Sequence, residues 1–111
     1  MELAILSLNV WEGRRYEGLS AYVSEQSDKV DIFCFQEVCD TDSSVTTDRA
    51  GRRVNLYQEL LRLLVDFEGY FAPAWQPVST VDGIVDGISE QSTFVVKSGL
   101  AMFIRRTIVL L

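Results

Sequence analysis

The stretch Asp31-Ile-Phe-Cys-Phe-Gln-Glu-Val38 decides the fold that this sequence predicts. It is an apolar run that ends in two polar residues, Gln36 and Glu37. An earlier apolar run, Leu3-Ala-Ile-Leu-Ser-Leu-Asn-Val10, ends in the same way with Asn9. Both runs are too short and too uniformly apolar for surface helices. We therefore predict two buried strands, at residues 3–10 and about 31–38, the first of them buried on both faces.

A helix is predicted between these two strands. From about Tyr16 to Gln26 the side chains follow the i, i+3, i+4, i+7 spacing of an amphipathic helix. A strand, a helix and a strand in this order form a βαβ unit, whose strands run parallel. Parallel strands end at a common edge, where open α/β sheets bind ligands. The order predicts that Asn9 and Glu37 lie together there, as oxygen ligands suited to a hard cation such as Mg²⁺.

A second helix is predicted at about 56–68. Its apolar residues lie on one face, Asn55 is a suitable N-cap, and Gly69 is a suitable C′ residue. Between the βαβ unit and this helix, residues 39–53 are polar and without periodicity, which indicates a loop.

The remainder of the chain predicts further strands. They lie at 70–75, 93–96, 100–104 and 107–111, and Pro73 confines the first of these to a sheet edge or a bulge. A tandem repeat over residues 81–88 contains two Asp-Gly pairs, at Asp82 and Asp86. Asp-Gly pairs favour turns, so a hairpin or a mobile loop is preferred there to a second metal site.

Composition limits the class of protein and its partners. With 111 residues, 48% of them hydrophobic and 23% charged, the chain fits one folded domain. The net charge of -6 argues against broad nucleic-acid binding, so nucleic acid is a less favoured partner. No leader pattern or long apolar span is present. The two cysteines, Cys34 and Cys39, are typical of free thiols in a reducing environment, and we expect a cytoplasmic protein without a membrane span.

Three segments resemble the endonuclease/exonuclease/phosphatase superfamily, which has the DNase I-like fold. They are Leu6-Ser-Leu-Asn9-Val10-Trp11, Asp31-Ile-Phe-Cys-Phe-Gln36-Glu37-Val38 and Gly99-Leu-Ala-Met-Phe-Ile-Arg105. The resemblance covers most of residues 3–38 and 99–111. It implies an α/β fold, the N-terminal half of a four-layer sandwich, with residues 1–111 as a partial domain. It also implies metal-assisted hydrolysis of phosphoesters.

The resemblance assigns roles to two residues. The resemblance implies that Glu37 binds Mg²⁺, with Mn²⁺ as an alternative. Asn9 joins it at the catalytic site, where it orients a phosphate oxygen or the water shell of the metal. The implied substrate is a phosphorylated small molecule or a phosphodiester. The family's later half carries a Gly-Asp-x-Asn segment and an Asp-His pair, whereas this sequence has no histidine and no such segment. We therefore expect these residues alone to be weakly active or inactive.

Structural alternatives stay open for the same residues. Asn9 can cap the turn after its strand, and Glu37 can pair with an arginine. The three arginine doublets, at residues 14–15, 52–53 and 105–106, are typical of solvated faces, with phosphate contact as a less favoured alternative.

A non-catalytic half-fold is the rival to the enzyme. Such a module would pair its open sheet edge with a copy of itself or with another chain. The apolar segment Thr107–Leu111 predicts an unpartnered strand that suits this self-association. A chain that stops within a strand also suggests that the sequence is incomplete.

Overall fold

The computed structural model describes residues 2–75, 78–85 and 88–109. Its strands are β1 (Ile5–Asn9), β2 (Ile32–Asp40), β3 (Phe67–Trp75), β4 (Val78–Val85), β5 (Ile88–Val95) and β6 (Lys97–Arg105). Its helices are α1 (Tyr16–Gln26), α2 (Leu56–Leu63) and the single turn α3 (Arg106–Val109), and a 3₁₀ turn spans Trp11–Gly13. No helix among these residues is long and apolar enough to cross a membrane.

Four of the strands form one mixed sheet in the order β1-β2-β6-β3. β1 and β2 pair in parallel and are connected through α1, whereas β6 pairs antiparallel with both β2 and β3. The predicted βαβ unit is therefore confirmed, as is the position of β3 at an edge of the sheet.

A separate antiparallel hairpin is formed by β4 and β5. It confirms the hairpin that the tandem repeat predicted. Residues 86–87, which connect the two strands, and the side chains of Asp82 and Asp86 lie outside the described residues. The role of these two aspartates stays open.

The main core lies between one face of the sheet and the two longer helices. Phe33, Phe35 and Phe103 lie on the sheet side and are at most 1% exposed. The rings of Phe33 and Phe35 stack with their centroids 5.4 Å apart, and the Phe35 and Phe103 centroids are 5.8 Å apart. The helices contribute buried aliphatic side chains, which are Val23, Leu56 and Leu60. This packing fixes the sheet that carries Asn9 and Glu37.

The opposite face of the sheet lacks a covering layer among the described residues. We call it the open face, and its residues are Ile5, Ser7, Asn9, Ile32, Cys34, Gln36, Glu68, Tyr70, Ala72, Leu100, Met102 and Ile104. The prediction that the first strand is buried on both faces is thus wrong here, since Ile5 is 61% exposed. Its neighbours Leu6 and Leu8 are half-buried and pack against the core on the helical side.

The second helix ends earlier than predicted, because the chain from Phe67 onward joins β3 instead. Asn55 does not cap the helix with its side chain, whose Nδ2 donates to the carbonyl oxygens of Ser43 and Val45 at 2.5 and 2.9 Å. Gly69 is not a C′ residue but lies within β3. A Cβ at Gly69 would lie 2.7 Å from Leu61 Cδ2, so the glycine allows α2 to pack closely on the sheet.

The C-terminal elements also differ from the prediction. The strand expected at 93–96 belongs to β5, and β6 extends from Lys97, so only Val96 separates the two. The strand predicted at Thr107–Leu111 is wrong, because residues 106–109 form the helical turn α3. Residues 110–111 lie outside the described part. The strand invoked for self-association is therefore not formed by the described residues.

Candidate functional site

Glu37 lies at an irregularity in β2. The register between β2 and β6 shifts between Phe35 and Val38, which makes Gln36 and Glu37 a β-bulge. The backbone of Glu37 has a φ of 59°, in the left-handed region that residues other than glycine seldom adopt. Its side chain is exposed, although the next two residues are buried. Backbone strain of this kind clusters at functional sites, so the bulge is an independent reason to consider Glu37.

The structure brings Asn9 and Glu37 into direct contact. Asn9 pairs with Gln36 in the parallel register of β1 and β2. Its side-chain Nδ2 donates a hydrogen bond to Glu37 Oε2. Its Oδ1 accepts the backbone N–H of Trp11 at 2.9 Å. Both ends of the Asn9 amide are therefore engaged, one with the turn after β1 and the other with the carboxylate.

These contacts bear on the two structural alternatives. Asn9 does cap the turn after its strand through its contact with Trp11. Glu37 forms no ion pair with an arginine among the described residues, and its Oε1 has no hydrogen-bond partner there. One carboxylate oxygen is thus held by Asn9, while the other is available to a ligand.

The turn after β1 has a conformation that the sequence analysis missed. Trp11, Glu12 and Gly13 all have positive φ, at 49°, 56° and 71°. A Cβ at Gly13 would lie 2.7 Å from Arg53 Cγ, and the Arg53 backbone N–H donates to Glu12 O at 2.8 Å. Only Gly13 signalled this turn in the sequence. The turn ties the end of β1, and with it Asn9, to the loop that precedes α2.

A half-buried charge cluster strengthens this connection. Glu12 lies 3.3 Å from Arg14 and 3.6 Å from Arg52, whose Nε donates to Asp48 Oδ2 at 2.7 Å. The Cys39 thiol donates to Glu12 Oε2 at 3.6 Å. Burial, reinforced by the charge of Glu12, raises the pKa of Cys39 to about 12. Cys39 is therefore a neutral, structural thiol near neutral pH and not a nucleophile.

The interpretation of the arginine doublets as solvated faces is wrong for four of their members. Arg14 and Arg52 belong to the cluster just described. Arg53 pairs with Glu59 at 2.5 Å, with its guanidinium 4.0 Å from the Tyr16 ring centroid. Arg105 lies 3.3 Å from the Asp31 carboxylate, and its Nη2 donates to two backbone carbonyls before β2, both at 2.6 Å. These guanidiniums fasten loops to the core.

The donor set at the Asn9–Glu37 edge suits a weakly held, water-rich cation. Glu37 offers one carboxylate, while Asn9 Oδ1 is already engaged with the backbone. Within residues 2–75, 78–85 and 88–109 there is no group of three His, Cys, Asp or Glu residues that could hold a metal. Mg²⁺ often binds through one or two carboxylates and keeps several waters, so these residues fit it. That Asn9 is itself a metal ligand stays a prediction.

Comparison with known proteins finds similarity among solved structures. No family model and no curated protein matches the chain. Among solved structures, it is similar to an endonuclease/exonuclease/phosphatase family protein from Leptotrichia buccalis C-1013-b, with 22% identity and a TM-score of 0.51. The alignment covers 94% of this chain and 37% of that protein. At this identity the likeness shows the fold alone. The chain thus has the mixed α/β fold of part of a DNase I-like domain, consistent with the predicted N-terminal half.

Proposed function

We propose that this chain carries the metal-binding part of a Mg²⁺-dependent phosphoesterase site. The observation that carries the proposal is the contact between Asn9 and Glu37 at the end of two parallel strands, with Glu37 in a left-handed bulge. The fold likeness to an endonuclease/exonuclease/phosphatase family protein supports the same class. The substrate class is a phosphorylated small molecule or a phosphodiester.

Each residue has a distinct task in this proposal. Glu37 offers Oε1 to the cation, and the bound Mg²⁺ supplies positive charge beside the phosphoryl oxygens. Asn9 positions the carboxylate by its hydrogen bond to Oε2. The Trp11 N–H holds the other end of the amide, so Asn9 cannot rotate without losing both contacts. The sequence contains no histidine to move a proton, so we expect metal and phosphate binding with little turnover from these residues alone.

Paramagnetic broadening by Mn²⁺ tests the metal site directly. In ¹H–¹⁵N spectra of the whole chain, we expect signals near residues 9 and 37 to broaden first, and Mg²⁺ to reverse the effect. Glu37→Gln should abolish the localised broadening. Glu25→Gln, which neutralises an exposed glutamate on α1, is the matched control and should retain it. Unchanged broadening in Glu37→Gln would remove Glu37 from the proposed site.

A non-catalytic interaction module is the second candidate, and the open face favours it. Tyr70, Leu100 and Met102 on that face are between 41% and 54% exposed. Such a module needs neither the cation nor a phosphoester. A wild-type chain that shows no localised Mn²⁺ effect but associates through the open face would support the module over the enzyme.

A further inference from the structure

A polar cavity lies between the loop that follows β2 and one side of α2. Its volume is about 440 Å³, which is within the range of sites that take small molecules. Residues 43–46 of the loop form one wall, and Arg53, Asn55 and α2 form the other. We call this cavity the loop pocket. Neither Asn9 nor Glu37 lines it, so it shares no residue with the proposed metal site.

Both walls of the loop pocket are held in place by contacts within the chain. Asn55 Nδ2 donates to the carbonyl oxygens of Ser43 and Val45, which fixes the loop against the start of α2. On the other wall, the Arg53 guanidinium donates to both carboxylate oxygens of Glu59, at 3.2 and 2.5 Å. A site whose walls are already ordered loses less conformational entropy when a ligand binds. The loop pocket is therefore formed without a ligand.

The charge and hydrogen-bonding groups of the lining select an anion. The carboxylate of Glu59 is neutralised by its ion pair with Arg53. Arg62, by contrast, forms no ion pair or hydrogen bond with the residues that the structure describes. The side-chain hydroxyls of Ser44 and Thr46 are likewise unbonded within that part of the chain. The pocket thus keeps one uncompensated positive charge and free donors on both walls, in a chain whose net charge is -6.

We propose that the loop pocket binds a small molecule through its phosphate group. A guanidinium forms paired, charge-assisted hydrogen bonds with phosphate oxygens, which is the role of Arg62 here. Ser44 and Thr46 donate their hydroxyls to the remaining oxygens from the opposite wall. A phosphate presents three acceptor oxygens in different directions, whereas a carboxylate presents two in one plane, so donors on two walls favour the phosphate. This binding requires neither the metal nor Glu37, and it stands apart from the proposed function.

Titration with inorganic phosphate tests the loop pocket in the whole chain. In ¹H–¹⁵N spectra recorded without divalent metal and at constant ionic strength, we expect saturable shifts of the amide signals of residues 44, 46 and 62. The expected Kd is about 1 mM, the affinity that a few charge-assisted hydrogen bonds to a small anion supply. Acetate, which carries a carboxylate, should bind at least about tenfold more weakly at the same residues. Acetate that binds as tightly as phosphate would overturn the assignment of the ligand.

Two arginine substitutions locate the bound phosphate. Arg62→Gln removes the uncompensated guanidinium of the pocket and should weaken phosphate binding about tenfold. Arg15→Gln is the matched control, because Arg15 is also exposed and forms no ion pair with the described residues, yet lies outside the pocket. It removes the same charge from the chain and should change the Kd by less than about twofold. Circular dichroism should show the native spectrum for both variants, since both side chains are exposed.

Three outcomes would contradict the phosphate site. A wild-type chain without saturable shifts at residues 44, 46 and 62 has no such site. Equal weakening by Arg62→Gln and Arg15→Gln would mean that phosphate responds only to the overall charge of the chain. An Arg62→Gln variant that binds as tightly as the wild type would remove Arg62 from the site. Because no metal is present in this titration, its result is independent of the Mn²⁺ experiment on Glu37.

Discussion

Replacing Glu37 with glycine should stabilise the fold while it removes the proposed metal ligand. A residue other than glycine held at a φ of 59° carries strain of about 1–3 kcal/mol, which glycine relieves. Glycine in turn loses about 0.5–1 kcal/mol more conformational entropy on folding. The exposed hydrogen bond from Asn9 contributes little to stability, so its loss changes the balance only slightly. The net expectation is a gain of about 1 kcal/mol in the free energy of unfolding.

Alanine at the same position isolates the backbone contribution. Glu37→Ala and Glu37→Gly both remove the carboxylate, and they differ only in the freedom of the backbone. We expect the glycine variant to be more stable by about 1 kcal/mol in urea unfolding, or about 4 °C in thermal midpoint. Ala21→Gly is the control, because Ala21 is exposed in the middle of α1. There the same exchange should destabilise the protein by about 1 kcal/mol.

The sign of the stability difference between Glu37→Gly and Glu37→Ala shows whether the backbone at this position is strained. A glycine variant that is less stable than the alanine variant would show that Glu37 is not held in a left-handed conformation. Backbone strain would then no longer mark this residue as functional. Localised Mn²⁺ broadening should be absent in both variants, since both lack the carboxylate. If the strain is present but broadening persists, the bulge has a structural purpose only.

Three further substitutions probe the packing and hydrogen bonding that hold the sheet and its loops together. A Cβ at Gly99 would overlap the carbonyl oxygen of Ala72 across the β3–β6 pair, so Gly99→Ala should lower the free energy of unfolding by about 3 kcal/mol in urea titrations. Arg105→Met removes the donors to two backbone carbonyls and should cost about 2 kcal/mol in the same assay, whereas a loss below 0.5 kcal/mol would mean that water replaces them. The pKa of Cys39 is raised from 9.0 to about 12, so the unfolded chain releases this proton first and stability should fall as pH rises from about 9 to 12. Cys39→Ala should flatten that part of the stability profile.

The parallel unit could be predicted from the sequence because its signals are local. The spacing that predicted a helix from Tyr16 to Gln26 gave the bounds that α1 has. The prediction of a first strand buried on both faces failed for a different reason. An apolar pattern shows that both faces of a strand are suited to burial. It does not show whether both are covered, and the described residues supply a covering layer on one face only.

The errors around α2 come from long-range contacts. Asn55 and Gly69 both have the residue types of helix caps. Asn55 is instead recruited by carbonyl groups of the preceding loop, and Gly69 by the close packing of α2 on the sheet. Both interactions join segments that are distant in the chain or in different elements. Local sequence patterns do not contain this information.

The candidate site was predictable in its residues but not in its backbone. The end-of-strand positions of Asn9 and Glu37 follow from the parallel order of the strands. The left-handed conformations of Glu37, Trp11 and Glu12 could not be predicted, because these residue types have no special preference for that region. The orientation of the Asn9 amide follows from those conformations. That orientation decides whether Asn9 binds the metal itself or positions the Glu37 carboxylate.

The proposed site depends on β1. This strand is at the edge of the sheet and, among the described strands, pairs with β2 alone, so Asn9 depends on that pairing and on the turn that Glu12 ties to the neighbouring loop.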